Sequence, residues 1–276
     1  MNKAVILGCG YVGMAVAERW RRLGLTVTGT TTSPGRLAEL EAQVDEAVVI
    51  RGSDHPALQT LLADQEALLV CVGAGRNNRD YVDAYLKTAE TLAGVLPQTT
   101  VQQVIFTSTY SIYGDHAGAW VNEDTPICPA TERAEALAAA EQALLATSAP
   151  PSRRVCVFRL GGIYGPGREL ARIFARSAGK TRPGLGNEGS NWVHLDDIAD
   201  AIEFARTHRL AGIYNLVQDE IPTVAELIQR VCVANQLDPI TWDASQPSDR
   251  PYNVRCSNHK LKAAGYAFSH PRFLNC

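Results

Sequence analysis

Three glycines near the start of the chain are spaced as Gly8-Cys9-Gly10-Tyr11-Val12-Gly13, a G-x-G-x-x-G pattern. The pattern follows a short apolar run, Lys3 to Leu7, and opens a segment of helical periodicity, Val12 to Leu23. Each glycine then has a physical task. Gly8 permits a tight turn, Gly10 lets the backbone approach a pyrophosphate, and Gly13 lets helix and strand pack closely. The helix start offers backbone N–H groups and the positive end of its dipole to phosphate oxygens. A glycine-rich turn that binds nothing is the plain alternative, and the strand, turn and helix context favours a dinucleotide.

The identity of that dinucleotide depends on the next strand. An NAD site places an acidic residue there to hold the ribose 2′-OH. Here the strand ends Val27-Thr28-Gly29-Thr30-Thr31-Thr32-Ser33, with no carboxylate. Small hydroxyl residues leave room for a 2′-phosphate, and Arg36 is close enough in sequence to pair with it. Arg36 reads equally as a solvated residue in the first turn of a helix. The expected cofactor is NADP or NAD, with a lean to NADP. The residues expected to hold it are Gly8, Gly10, Tyr11, Val12, Gly13, Thr31, Thr32 and Arg36, with Val72 and Gly73 after the fourth strand.

Strands and helices alternate through the first two-thirds of the chain. Strands are expected at Lys3 to Leu7, Leu25 to Thr28, Ala47 to Ile50, Ala67 to Val72, Val101 to Thr107 and Arg154 to Leu160. Helices are expected between them, at Val12 to Leu23, Pro34 to Val44, Pro56 to Ala63, Arg79 to Leu96 and Glu132 to Ala146. That alternation means βαβ units and a parallel sheet. The fold class is α/β, a Rossmann-type doubly wound parallel sheet with a small C-terminal lobe. Residues 1–164 form the dinucleotide domain, completed by about 190–217, and residues 165–189 and 218–276 form the lobe. Further strands are expected at Trp192 to Val193 and Ile213 to Val217, with helices at Ile198 to Thr207 and Thr223 to Asn235.

With 46% hydrophobic and 20% charged residues, the chain is neither disordered nor collagen-like. A net charge of −3 argues against a nucleic-acid partner, and Arg153-Arg154 and Arg19-Arg21-Arg22 are too small as basic clusters. The seven cysteines show no C-x-x-C spacing and the six histidines are scattered, so neither a disulfide scaffold nor a metal site is expected. No apolar run reaches ~18 residues. The N-terminus lacks the apolar core of a signal peptide, so the expected location is cytoplasmic, with no membrane partner.

Four further stretches carry a resemblance. They are Thr107-Ser108-Thr109-Tyr110-Ser111-Ile112-Tyr113-Gly114, Arg159-Leu160-Gly161-Gly162-Ile163-Tyr164-Gly165-Pro166-Gly167-Arg168, Asn191-Trp192-Val193-His194-Leu195-Asp196-Asp197-Ile198-Ala199 and Gly212-Ile213-Tyr214-Asn215-Leu216. With the glycine loop, the chain resembles an extended short-chain dehydrogenase/reductase of the NAD(P)-dependent sugar epimerase/dehydratase group. The resemblance implies a Rossmann domain, a substrate lobe interleaved with it, a nicotinamide cofactor and a small-molecule substrate such as a nucleotide sugar. It places Thr109 where the family has the Ser/Thr that bonds the reacting oxygen, and Tyr110, Tyr164 and Arg168 toward the substrate. The alternative is that Ser108, Thr109 and Ser111 cap a strand-to-loop turn and that Tyr110 packs. His194 reads as a packed or hydrogen-bonded residue, and Asp196 as the N-cap of a helix. Family members often dimerise through the fourth and fifth helices. The alanine-rich face of Glu132 to Ala146 suits that or a plain core.

The resemblance also implies a Tyr-x-x-x-Lys pair in which the lysine makes the phenol, titrating at pH ~10, useful at neutral pH. This chain lacks the pair. Aligned on Glu141, Arg133 stands at the tyrosine position and Leu137 at the lysine position. There is no Tyr between Gly114 and Tyr164 and no Lys between Lys87 and Lys180. Arg133 stays protonated and cannot relay a proton, but it can be a fixed cation beside an oxyanion. Two functions are therefore open. One is an NAD(P)-dependent epimerase/dehydratase-like oxidoreductase with an altered acid/base route through Thr109 and Arg133. The other is a non-catalytic NAD(P)-binding sensor or scaffold.

Overall fold

The computed structural model describes residues 2–73 and 81–273. The chain divides into two compact units. The first comprises Met1–Thr109, Glu132–Arg159 and Ile198–Tyr214, and the second Tyr110–Thr131, Leu160–Asp197 and Asn215–Cys276. Residues 110–131 and 160–164 thus belong with the second unit, whereas the spacing of motifs groups them with the sheet.

In chain order the elements are β1 (Lys3–Leu7), α1 (Tyr11–Arg22), β2 (Thr26–Thr31), α2 (Leu37–Glu41), β3 (Glu46–Val49), α3 (His55–Leu62) and β4 (Ala67–Val70). A π-helical segment, Val82–Lys87, leads into α4 (Thr88–Val95), followed by β5 (Gln103–Thr109), β6 (Asp115–Val121), α5 (Glu132–Leu145) and β7 (Arg154–Leu160). The expected start of the fourth helix, Arg79, lies outside the described residues, as does Cys276. Then come β8 (Gly162–Tyr164), α6 (Leu170–Phe174), β9 (Thr181–Pro183), β10 (Trp192–His194), α7 (Leu195–Thr207) and β11 (Gly212–Leu216). The last elements are α8 (Val224–Ala234), β12 (Thr241–Asp243), β13 (Asn253–Cys256) and α9 (His259–Ala263).

Seven strands form the central sheet in the order β11-β7-β5-β4-β1-β2-β3. The pairs β1–β2, β1–β4, β2–β3 and β4–β5 are parallel, with Ile6 opposite Gly29 on one side and Leu69 on the other. Ala4, Val5 and Ile6 are fully buried, as an inner parallel strand covered on both faces requires. The connections reverse direction at β1, and the carboxyl edge beside such a switch point is where open α/β sheets bind ligands.

β2 runs on to Thr31 through Gly29, a residue that reads as a breaker. A Cβ at Gly29 would come within 2.8 Å of Val44 and 2.9 Å of Cys9, so the glycine lets neighbouring elements close on the strand. α2 is correspondingly short, because Pro34–Arg36 forms a 3₁₀ turn first. α5 buries Ala134, Ala136, Leu137, Ala138, Ala140 and Leu144, so its alanine face is used by this chain's own core. At the foot of that face Glu141 and Arg159 are an ion pair, 2.8 Å apart at the closest, with side chains 0% and 3% exposed.

In the second unit β8 pairs with β10, β9 with β12 and β6 with β13. Its core gathers Tyr164, Leu170, Phe174, Leu227, Ile228 and Val231. α8 starts on a capping box: Thr223 Oγ accepts from the Glu226 N–H, and Glu226 accepts from the Thr223 N–H. Among the described residues, no helix is long and apolar enough to cross a membrane.

Candidate active site

The glycine loop joins β1 to α1 at the carboxyl edge of the sheet. Gly8 has φ +98°, and a Cβ there would sit 2.9 Å from the Cys71 carbonyl oxygen and from Val72. Gly13 is fixed by contact: its Cβ would fall 2.6 Å from the Gly8 carbonyl oxygen. Gly10 differs. Its φ of −89° suits any residue, and a Cβ would meet no atom within 4 Å. The space above Gly10 is therefore open, while its neighbours are packed. The first turn of α1 carries no acidic residue and no side-chain cap, so nothing there repels an anion. These residues fit the pyrophosphate of a dinucleotide.

Two side chains hold the loop, and neither is evident from spacing. Thr30 Oγ1 accepts from the Gly8 N–H at 3.0 Å, and the Cys71 thiol donates to the Gly8 carbonyl at 2.9 Å. Burial pushes the Cys9 thiol up to about 11 and raises Cys71 as well, so both act as neutral packing groups. The one visible hint is position: Thr30 and Cys71 lie where the strands flanking β1 end.

Of the residues expected around the adenosine end, Thr31 is buried and its Oγ1 accepts from the Ser33 N–H at 3.1 Å. Thr32 is exposed. Arg36 is half-exposed and pairs with Glu39 at 3.2 Å. Tyr11, Val12 and Val72 are half-buried, and Gly73 is exposed with no atom within 4 Å of a built Cβ.

Thr109 ends β5 and is half-buried. Arg133 is the second residue of α5, exposed, with its guanidinium carbon 6.0 Å from the centre of the Tyr81 ring. Tyr81 in turn stacks on Tyr85, with ring centres 6.4 Å apart and planes parallel. Leu137, one turn on from Arg133, is 2% exposed.

The three substrate candidates fall in the second unit and take other surroundings. Tyr110 is buried, and its hydroxyl accepts from Arg250 Nη2 at 2.9 Å. Burial raises its phenol above the ordinary range, with Tyr252 adding to it and Arg250 opposing, so Tyr110 is no proton relay at neutral pH. Tyr164 is a core residue, 6% exposed, donating to Gln218 Oε1 at 3.0 Å. Arg168 is exposed on a turn closed by its N–H to the Gly165 carbonyl.

The remaining residues of the family stretches prove to be joints. Tyr113 donates to Asn215 Oδ1 at 2.9 Å, tying the stretch that ends at Gly114 to the last one. Asn191 clasps β13 through the Val254 carbonyl and the Cys256 N–H. The spacing predicts Asp196 as an N-cap. The helix instead starts at Leu195, and His194 Nδ1 accepts from the Asp196 N–H at 3.2 Å, so the cap is His194. Asp197, fully buried, accepts from the N–H groups of Ser269 and His270 and from the Tyr266 hydroxyl. His194 and His270, far apart in sequence, stack at 3.8 Å. Asp196 lies beside them, and one ligand atom from each of the three side chains falls within 4.8 Å of the others, so the histidines that are scattered in sequence meet in the fold.

A family model described as the NAD dependent epimerase/dehydratase family matches residues 4–216. The chain belongs to this family. It is 33% identical over 225 residues to Protein YeeZ of Escherichia coli K12, covering 78% of this chain and 77% of that protein. It is 23% identical to a UDP-glucose 4-epimerase of Azospirillum brasilense, over 96% of this chain and 86% of that protein. Among solved structures, the NAD complex of the Thermus thermophilus UDP-glucose 4-epimerase superposes with a TM-score of 0.78 at 22% identity, covering 97% of this chain and 94% of that one. As an epimerase/dehydratase-family member of the extended short-chain dehydrogenase/reductase group, the chain keeps the Rossmann sheet and glycine loop. It lacks the implied Tyr-x-x-x-Lys pair, with no Tyr between Gly114 and Tyr164 and no Lys between Lys87 and Lys180.

Proposed function

We propose that this chain is an NAD(P)-dependent epimerase/dehydratase-like oxidoreductase that acts on a sugar-like or carbonyl/hydroxyl substrate, a nucleotide sugar in the first instance, by an altered acid/base route. The observation that carries this reading is the open face of Gly10 in an otherwise packed strand, turn and helix. A bound nicotinamide supplies the hydride chemistry. Thr109, at the end of the strand next but one to β1, offers a hydroxyl to the reacting oxygen, and Arg133 offers a fixed charge to an oxyanion. The family description and the UDP-glucose epimerases similar to the chain support the substrate class.

Incubation with NADH or NADPH and a panel of UDP-sugars, with products separated by chromatography, tests it. Coenzyme-dependent conversion is expected, with kcat about 100-fold lower in Thr109→Val. Full turnover in that variant removes Thr109 from the route. Tight coenzyme binding without conversion of any sugar favours the sensor reading instead.

For the coenzyme, NADP is the preferred form in this proposal. No carboxylate stands between Thr28 and Ser33, and the Arg36 charge reaches Cys9 in the glycine loop, where it opposes the effect of burial on that thiol. Arg36→Ala is expected to shift the NADPH to NADH affinity ratio about tenfold toward NADH, the worth of one charge-assisted hydrogen bond. An unchanged ratio in a fluorescence titration rules Arg36 out.

A further inference from the structure

Removing the tyrosine from position 133 leaves the question of which group passes protons. In a parallel sheet the crossover helices run back against the strands, so their first residues sit at the carboxyl edge. Tyr81 directly precedes the π-helical segment that follows β4, and Arg133 is the second residue of α5. β4 and β5 are neighbours, and β5 ends in Thr109. A phenol, a guanidinium and a hydroxyl are thus assembled on one edge from three separate stretches of chain.

We propose that Tyr81 is the proton-transferring group of this enzyme and that Arg133 is its fixed cation. The inference rests on the dinucleotide-dependent reading above. Arg133 lies over the Tyr81 ring at 6.0 Å, which places a permanent positive charge beside the phenol. A guanidinium keeps that charge at every working pH. Tyr81 is half-buried and Arg133 exposed, so the pair opens on a surface. Tyr85 backs the Tyr81 ring and limits its orientation. The π-helical turn that follows is a backbone form concentrated at functional sites. In the reducing direction a bound reduced nicotinamide would supply hydride to the substrate carbonyl carbon. The Tyr81 O–H bond breaks and its proton goes to the carbonyl oxygen. The phenolate left beside Arg133 then takes a proton from water.

The test needs no substrate. The full chain is treated with tetranitromethane with and without saturating NADP⁺ or NAD⁺, and nitration of Tyr81 is read by peptide mass spectrometry. Coenzyme binding is measured separately by calorimetry. Bound coenzyme is expected to slow Tyr81 nitration about tenfold while leaving Tyr252 unchanged. Coenzyme that binds without protecting Tyr81 overturns the assignment and leaves the dinucleotide reading standing. A chain that binds neither coenzyme overturns both. Tyr81→Phe keeps the ring beside Tyr85 and Arg133 and removes only the hydroxyl. With UDP-glucose its kcat is expected to fall about 100-fold at unchanged coenzyme affinity. A kcat within about threefold of the parent sinks the proposal.

Discussion

Gly10→Val is expected to weaken NAD(H) and NADP(H) binding by about 100-fold, the loss of one or two charge-assisted hydrogen bonds to phosphate. The fold should survive it. The backbone at Gly10 is in an ordinary conformation, and a Cβ there touches nothing within 4 Å. The remaining penalty is a poor N-cap residue, about 1 kcal/mol or less, which moves the unfolding midpoint by about 4 °C at most. Gly13→Ala is the contrasting control, because its Cβ would lie 2.6 Å from the Gly8 carbonyl and the loop itself must shift. Calorimetric titration beside a thermal melt separates the two. Undiminished affinity in a well-folded Gly10→Val chain would mean that these amides face no phosphate.

The largest loss of stability is expected at Glu141→Ala, about 3–5 kcal/mol, because it takes the carboxylate partner from a guanidinium held where water cannot reach. At roughly 2–4 °C per kcal/mol for a chain of this size, the midpoint falls by about 10 °C. The Coulomb gain of the pair is largely offset by desolvation, so removing both charges costs far less. Glu141→Leu combined with Arg159→Met should recover most of the loss. A double variant as unstable as Glu141→Ala would show that shape, and not the unpaired charge, sets the cost.

The glycine loop was readable from residue types because its turn and helix start are local, although the atoms that crowd Gly8 come from Cys71 and Val72. The strand pattern was readable for a similar reason, since strands buried on both faces are short apolar runs. Thr30 and Cys71 escaped notice because their partner is a backbone atom of a different strand, and nothing in a threonine's neighbours reveals which amide it meets. The cap falls on His194 and not on Asp196 because it depends on where the helix begins, a matter of one residue. Asp197 stands in the first turn of α7. Its partners, Tyr266 to His270, come from the end of the described chain and show no motif of their own. Arg133 and Tyr81 became a pair only through the crossover geometry of two separate βα units.

The burial of Leu137 also bears on how such a chain can change. Reinstating a tyrosine at position 133 is one step at an exposed site. Its lysine partner would have to enter where a 2% exposed leucine now fills the helix face, forcing an ammonium group into apolar surroundings. The lysine would be acceptable only with compensating repacking around α5.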